Sequence, residues 1–133
     1  MRKSVFIIGI GVLVVVGYGL YRFVQPRYSP TSIPFVIRGK TYHVLTAKTP
    51  VEWEKGLMDI RTLKDADGMV FLFNDYQYRT FWNKNTLMNL HLFWIKDSEV
   101  VGESSLPSIE KSGGIITVTS PLPINIVVEI PQL

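Results

Sequence analysis

The chain has 133 residues, enough for one domain, and it contains no cysteine, which excludes disulfide bonds. The formal net charge is +3, but four of the 14 basic residues lie within the first 27 positions, which hold no acidic residue. The remainder carries the other ten basic side chains against all eleven acidic ones. Such a balance lacks the positive surface that nucleic-acid binding requires, so we expect no nucleic-acid partner.

An apolar segment near the start, residues 5–21, reads VFIIGIGVLVVVGYGLY and contains no charged side chain. Seventeen helical residues extend roughly 26 Å, close to the thickness of a bilayer's hydrocarbon core. A buried core helix and a cleaved signal peptide are the alternatives. A buried core helix would show polar positions at helical spacing, and none are present. A cleaved signal peptide would show a small-residue cleavage motif, which is also missing. We therefore predict that residues 1–24 form a signal anchor, with a transmembrane helix over residues 4–24 whose partner is the lipid bilayer.

The charges around this segment predict its orientation. Two basic residues and the terminal amine precede the span, a slight excess that favours a cytoplasmic N-terminus. The expected location is the cell membrane, crossed once, with the C-terminal domain outside the cytoplasm. Residues 25–34 follow with three prolines, which block helix formation and favour extended chain, so this segment is predicted to be a Pro-rich stalk.

The predicted domain covers residues 35–133 and begins with a hairpin and a helix. Two apolar runs flank the turn residues at 38–40, which is typical of a β-hairpin. Thr49, Pro50 and Glu52 have the spacing of a capping box and predict a short helix that Gly56 weakens.

The rest of the domain alternates short apolar segments with polar turns. Six such segments are predicted to be strands, at residues 69–73, 79–83, 87–95, 100–103, 115–119 and 124–130. This spacing is typical of a β-sandwich or barrel. The predicted class is mainly β: a compact β-barrel or jelly-roll-like sandwich with one short helix, preceded by the transmembrane helix. The side chains expected in its core are Met69, Phe71, Phe73, Trp82 and Trp94.

Two stretches carry a more specific pattern. The sequence GLM at residues 56–58 is followed by GMVFLF at 68–73, and FWNKNT occupies residues 81–86. With the other matching positions, Thr49-Pro50, Leu90 and Glu129, the arrangement resembles the domain of unknown function 192 family over about residues 41–131. The resemblance implies a compact β-barrel or jelly-roll-like domain, often exported, in bacteria and archaea. It implies no established activity.

This chain is a divergent copy of that family's pattern and departs from it at four positions. The pattern also continues further past residue 131 than this chain does. Asn83 stands in place of a methionine and Asn89 in place of a proline. Ile60 and His91 replace an arginine and an aspartate. Because those two expected residues have opposite charges, we predict that Ile60 and His91 lie together where relatives hold an ion pair. No acid should then remain beside His91 to hold its proton.

The candidate ligand-binding residues are Trp82, Lys84, Asn85, Thr86 and His91. An ammonium, an amide and a hydroxyl following an aromatic wall could converge on a small polar ligand. The alternative is local: Asn85 and Thr86 satisfy backbone groups at a turn while Lys84 faces water. His91 is equally explained as a half-buried strand histidine.

No catalytic residue, metal site or cofactor is predicted. The serines lack a G-x-S-x-G context, and no phosphate-binding glycine motif is present. The two histidines lie 48 positions apart and have no cysteine to complete a metal site. Asp65 and Asp67 are interpreted as solvated turn residues.

The leading interpretation is a membrane-anchored, extracytoplasmic β domain that binds a small polar ligand or an envelope protein without catalysis. The second is a hydrolase-type enzyme that acts on cell-envelope material through Lys84, Asn85, Thr86 and His91. The third is a degenerate copy that retains only the fold. The missing nucleophile motif and metal ligands favour the first over the second.

Carbonate extraction of cells that express the full chain tests the anchor. An uncleaved helix over residues 4–24 should keep the protein in the membrane pellet, because removing its apolar side chains from lipid is strongly unfavourable. Recovery of a soluble form shortened at its N-terminus would show cleavage instead.

Overall fold

A computed structural model describes residues 31–133, so the predicted anchor and most of the predicted stalk lie outside the described residues. The elements are β1 (Ile33–Ile37), β2 (Lys40–Ala47), α1 (Pro50–Lys55), β3 (Gly68–Gln77), β4 (Thr80–Trp82), β5 (Leu90–Lys96), β6 (Glu99–Leu106), α2 (Ile109–Ser112), β7 (Thr117–Thr119) and β8 (Ile124–Pro131). Among these residues, no helix combines the length and apolar character needed to span a bilayer.

Local sequence explains the first elements. Arg38 and Gly39 both have positive φ, as a two-residue hairpin turn between β1 and β2 requires. At the start of α1, the Thr49 side chain accepts a hydrogen bond from the Glu52 amide at 3.3 Å. The Glu52 carboxylate accepts one from the Lys48 amide at 2.6 Å, so the Thr49 cap is confirmed, with Glu52 bonded one residue before the cap instead of to Thr49 itself.

The main sheet has six strands in the order β1-β2-β3-β8-β5-β6, and β4 pairs with β7 in a separate two-stranded sheet. Only β2 and β3 are parallel, joined through α1. The mainly β prediction is confirmed, but the closed barrel is wrong because the edge strands β1 and β6 do not pair. The expectation of a single helix is also wrong, since Ser108 caps the short α2 by accepting from the Lys111 amide.

The open sheet is nevertheless strongly curled. Neighbouring strands lie about 4.8 Å apart, so a flat sheet would separate β2 from β6 by roughly 19 Å. Arg38, in the turn before β2, donates to the Glu103 carboxylate on β6 at 2.9 Å. The two side chains can meet only if the sheet bends towards the face that carries Glu103.

Each face of the sheet holds its own apolar cluster. The first cluster centres on Phe71, Leu92, Trp94 and Val127 and is covered by α1, the following loop and β4. The second cluster, with Val70, Phe93 and Val128 at its centre, lies inside the curl. Because β3, β5 and β8 contribute to both clusters, these central strands are buried on both faces, which explains their nearly continuous apolar sequences.

The predicted core is confirmed in part. Met69, Phe71 and Trp94 are buried, and Phe73 is half-buried. Trp82 is 42% exposed, so its predicted burial is wrong. Side chains alternate along β4, and Phe81 occupies the inward position, which leaves Trp82 to face outwards.

The predicted pairing of Ile60 with His91 is wrong. Ile60 packs against the first cluster. The His91 ring packs 4.8 Å from the ring of Phe93, which belongs to the second cluster on the other face. The expected lack of an acid is wrong too, because His91 Nε2 lies 2.8 Å from Glu103 Oε1. Hydrogen bonds with His91, and then with Arg38, hold the pKa of the Glu103 carboxyl below its usual value.

Replacing Phe71 with alanine tests the core. Phe71 is 1% exposed, and removing a buried phenyl ring should lower the free energy of unfolding by about 3–5 kcal/mol in urea denaturation. Tyr78→Ala is the control, since Tyr78 is 64% exposed, and it should change stability by less than about 0.5 kcal/mol. A loss below about 1 kcal/mol for Phe71→Ala would contradict the packing.

Candidate functional site

A cleft lined by aromatic side chains lies between α1 and β4. Its outer part has a volume of about 230 Å³ and is lined by Trp53, Glu54, Phe73, Arg79, Thr80, Phe81 and Trp82. A smaller inner part, about 30 Å³, shares Trp53, Glu54, Phe81 and Trp82 with it and reaches Thr86 and Glu129. The inner volume is enough for a water molecule or one polar group of a ligand. We call the two parts together the aromatic cleft.

Hydrogen bonds and ring contacts fix the aromatic walls. The Trp53 indole lies within hydrogen-bonding distance of the carbonyls of Ala47 at 3.1 Å and Leu72 at 3.2 Å, which ties α1 to the sheet. Its ring packs 4.9 Å from that of Phe73. Phe81 makes an edge contact with the Phe71 ring at 5.0 Å. The walls are therefore rigid parts of the folded domain.

Glu129 forms the floor of the inner part. It lies on β8, opposite Met69 on β3 and Leu92 on β5, and it is 4% exposed. Its carboxyl group has no hydrogen-bond partner among residues 31–133, and burial raises its pKa to about 8. At neutral pH this carboxyl is mostly protonated, so it can donate as well as accept a hydrogen bond.

Arg79 lies at the outer end of the aromatic cleft. Its guanidinium is 4.0 Å from the centre of the Phe73 ring, and it forms an ion pair with Asp75. Arg79 Nε is buried without a hydrogen-bond partner, and within the described part of the chain no other buried side-chain nitrogen or oxygen shares this condition. A charged donor is thus available beside the aromatic walls.

Two of the five predicted site residues, Trp82 and Thr86, line the aromatic cleft, and Lys84 lies next to it. Thr86 is 5% exposed and lines the inner part, and Lys84 Nζ lies 5.0 Å above the Trp82 ring at the rim. Asn85 adopts positive φ, and its backbone carbonyl accepts from the Asp59 amide at 2.8 Å, while the Thr86 hydroxyl donates to the Lys84 carbonyl at 3.2 Å, as the local alternative expects for Thr86. His91 lies on the other face of the sheet with Glu103.

Sequence reasoning missed Glu129 and Arg79 as site residues. A signal for Glu129 was present, because it is the single charged residue in the apolar run IVVEI at 126–130. No comparable signal marked Arg79, whose position depends on how β4 packs against α1. Asp67, interpreted as a turn residue, accepts from the His43 amide at 2.8 Å.

Asn83, which departs from the family pattern, is fully buried and has a structural role. Its Nδ2 lies 2.7 Å from Ser112 Oγ and near two carbonyls of the same segment, while its Oδ1 accepts from the Ile116 amide at 2.8 Å. Asn89, another departure, accepts from the Ser108 amide at 2.9 Å. Both amides therefore hold the segment that contains α2, and neither faces the aromatic cleft.

A pocket larger than the aromatic cleft lies elsewhere. It has a volume of about 630 Å³ and is lined by residues that include Arg61, Asp67, Asn89 and Gln132. The polar groups of these side chains already have partners: Arg61 pairs with Glu110, for example. Since no unpaired buried group faces it, the aromatic cleft is the better candidate site. No three metal-ligating side chains cluster within residues 31–133.

Comparison with known proteins agrees with the pattern in the sequence. The profile of the DUF192 family, described as "Uncharacterized ACR, COG1430", matches residues 34–132. The chain belongs to the DUF192 family. No curated protein matches the chain.

Two solved structures resemble this DUF192 domain. One, a protein of unknown function from Novosphingobium aromaticivorans DSM 12444, is 27% identical and superposes with a TM-score of 0.68, covering 82% of this chain and 79% of that one. The other is described as a "putative transcription regulator" from Sinorhizobium meliloti 1021. It is 25% identical, with a TM-score of 0.60 and coverage of 74% and 77%.

The DUF192 pattern converges on the aromatic cleft. Of the eleven residues that line its inner part, eight are positions of the pattern: Gly56, Leu57, Met58, Phe71, Phe81, Trp82, Thr86 and Glu129. These positions span more than 70 residues of sequence and come from five separate segments. The family pattern thus describes the surroundings of one buried carboxyl group.

Replacing Glu129 with glutamine tests that carboxyl group. In the unfolded chain it ionises near pH 4.5, whereas in the folded domain its pKa is about 8. Between these values the folded state binds more protons, so the stability provided by the neutral carboxyl is complete below pH 4.5 and is lost as pH rises through 8. The free energy of unfolding of Glu129→Gln should not fall in this way. At about pH 8.5 it should exceed that of the wild type by a few kcal/mol.

Urea denaturation across this pH range measures the difference. Glu110→Gln is the control, because the Glu110 side chain is 59% exposed and should not alter the pH profile. If the free energy of unfolding changed with pH in the same way for the wild type and Glu129→Gln, the Glu129 carboxyl would ionise normally and the prediction would be wrong.

Proposed function

We propose that this DUF192 domain is a binding module for a small ligand, and that the aromatic cleft is its binding site. The observation that carries the proposal is the Glu129 carboxyl, which makes no hydrogen bond with residues 31–133 and opens onto the floor of a cleft built from the family's own pattern. An unpaired buried carboxyl lowers stability, so its retention calls for a role outside folding. Binding a ligand that supplies the missing hydrogen bond is such a role.

The geometry favours binding over catalysis. Glu54 and Lys84 at the rim are exposed to solvent, and the inner part around Glu129 is lined by no serine, cysteine or histidine that could act as a nucleophile or base. His91, the base that a hydrolase would have used, faces the opposite side of the sheet. The hydroxyl of Thr86, whose side chain lines the inner part, already donates to the Lys84 carbonyl at 3.2 Å.

One observation supports the alternative of a hydrolase-type enzyme. A carboxyl whose pKa is raised to about 8 has the property of a general acid, and such groups are common in active sites. The reaction would then depend on Glu129 and on a water molecule in the inner part of the cleft. Turnover of a cell-envelope substrate that is abolished by Glu129→Gln would favour this alternative.

The location is part of the proposal. The charge-free segment at residues 5–21 and the basic residues before it support a membrane anchor with the domain outside the cytoplasm. The ligand would then be a small molecule of the envelope or periplasm. The almost neutral charge balance of the domain argues against nucleic acid as a partner.

Thermal unfolding of the full-length protein in detergent, with a library of small aromatic fragments, tests the binding function. Fragments that occupy the aromatic cleft should raise the midpoint of unfolding by mass action. The shift should be lost in Trp82→Ala, because Trp82 forms a wall of the cleft and is 42% exposed, so its removal should leave the fold intact.

Tyr78→Ala is the matched control, since this exposed aromatic residue does not line the cleft. Fragments that stabilise Trp82→Ala and Tyr78→Ala equally would bind elsewhere. A library in which no fragment gives a Trp82-dependent shift would contradict the proposed site.

A further inference from the structure

We propose that the aromatic cleft selects a small planar anion, of the class of aromatic carboxylates, whose carboxylate is bound by Arg79. This inference rests on the proposed function and names the ligand class of the same site. Four features of the cleft support it.

The first is the unpaired donor. Arg79 uses one terminal nitrogen for the Asp75 carboxylate and leaves its buried Nε without an acceptor. A buried charged donor without a partner is costly, and a carboxylate oxygen is the acceptor that guanidinium groups bind best. Nε itself is closed to solvent, but the Arg79 side chain is 20% exposed and lines the outer part of the cleft, so an incoming ligand can reach the second terminal nitrogen, which makes no hydrogen bond with residues 31–133.

The second feature is the shape and size of the walls. Trp53, Phe73, Phe81 and Trp82 present flat rings around the outer part. Its volume of about 230 Å³ is below the range of roughly 300–1,000 Å³ that drug-sized ligands occupy. A single ring system with a short polar substituent fits such a space and can stack on the walls.

The third feature excludes a cation as the ligand. Aromatic clefts often bind cations, but here the ring faces already have cationic partners from the domain itself. The Arg79 guanidinium lies over Phe73 at 4.0 Å, and Lys84 Nζ lies over Trp82 at 5.0 Å. A cationic ligand would have to displace these groups and would be repelled by both.

The fourth feature is the charge balance of the cleft. Lys55, Arg79 and Lys84 supply positive charge, whereas Glu54 at the rim and Asp75 beside Arg79 supply negative charge. Glu129 adds no negative charge near neutral pH, because burial favours its protonated form. The balance is therefore positive, and the neutral Glu129 carboxyl can donate a hydrogen bond to a ligand oxygen.

Isothermal titration of the full-length protein in detergent with benzoate, benzamide and benzylamine tests the ligand class. The three probes share one ring and differ in charge. Benzoate should bind at least about tenfold more tightly than benzamide, as a charge-assisted hydrogen bond predicts, and benzylamine should not bind. Equal affinities for the three probes would overturn the inference.

Two variants assign the contact. Arg79→Gln should weaken benzoate binding at least about tenfold, whereas Arg61→Gln, which removes an exposed arginine outside the cleft, should not. Circular dichroism confirms that each variant is folded. Should Arg79→Gln fail to fold, Arg79→Lys replaces it, because lysine keeps the charge but lacks the planar guanidinium group and should also weaken binding. Unchanged affinity in the folded variant would overturn the role of Arg79.

A pH series gives a separate readout. Benzoate affinity should fall as pH rises through 8, where Glu129 ionises and repels the anion, and this fall should be absent in Glu129→Gln. A pH profile that is the same in both proteins would overturn the part played by Glu129.

The outcomes separate this inference from the proposed function. If none of the three probes binds but other fragments give a Trp82-dependent thermal shift, the ligand class is wrong and the binding module stands. If no fragment binds in the cleft at all, both proposals are wrong.

Discussion

The burial of one carboxyl group in the central strand is the constraint on which the rest of the domain depends. Glu129 lies on β8, which is paired on both sides and packed on both faces, so its side chain is 4% exposed and meets open space only in the inner part of the aromatic cleft. Burial raises the pKa of this carboxyl to about 8, so the neutral form predominates near neutral pH. The helix and loop after β2 and the strand β4 must therefore cover the carboxyl while leaving a small polar space beside it.

Two glycines of the family pattern are explained by this region. A Cβ atom at Gly68 would lie 2.0 Å from the carbonyl oxygen of Glu129, so β3 can approach β8 only with glycine there. Gly56 ends α1 with φ of 44°, and a Cβ atom there would lie 3.1 Å from the Phe71 ring. Both glycines permit close packing around the same buried acid, which explains why the pattern is so widely spaced in sequence.

Much of the fold was predictable because its signals are local. The hairpin at Arg38 and the capping box at Thr49 depend on neighbouring residues alone, and the strands follow from short apolar runs. Exposure of Trp82 was not predictable, because it depends on which face of β4 meets the core. The open sheet was not predictable either, since pairing between β1 and β6 depends on the course of the whole chain.

The departures from the family pattern show the same limit. Opposite charges suggested that Ile60 and His91 were partners, but β5 sends His91 to the far face of the sheet. The departures that act together are Asn83 and Asn89, whose side chains both hold the segment around α2. The sequence does not show which face of the sheet each substituted side chain occupies. Only the structure could therefore show which of these residues lie close together.

The central place of β8 also determines the order in which the domain can be assembled. The strand that joins β3 to β5 comes after both in the sequence, at residues 124–131. Until those residues have been synthesised, β3 and β5 lack their shared neighbour, and each has an apolar edge open to other chains. Folding must therefore wait for contacts between residues distant in sequence, which slows it and prolongs the time during which these edges are open.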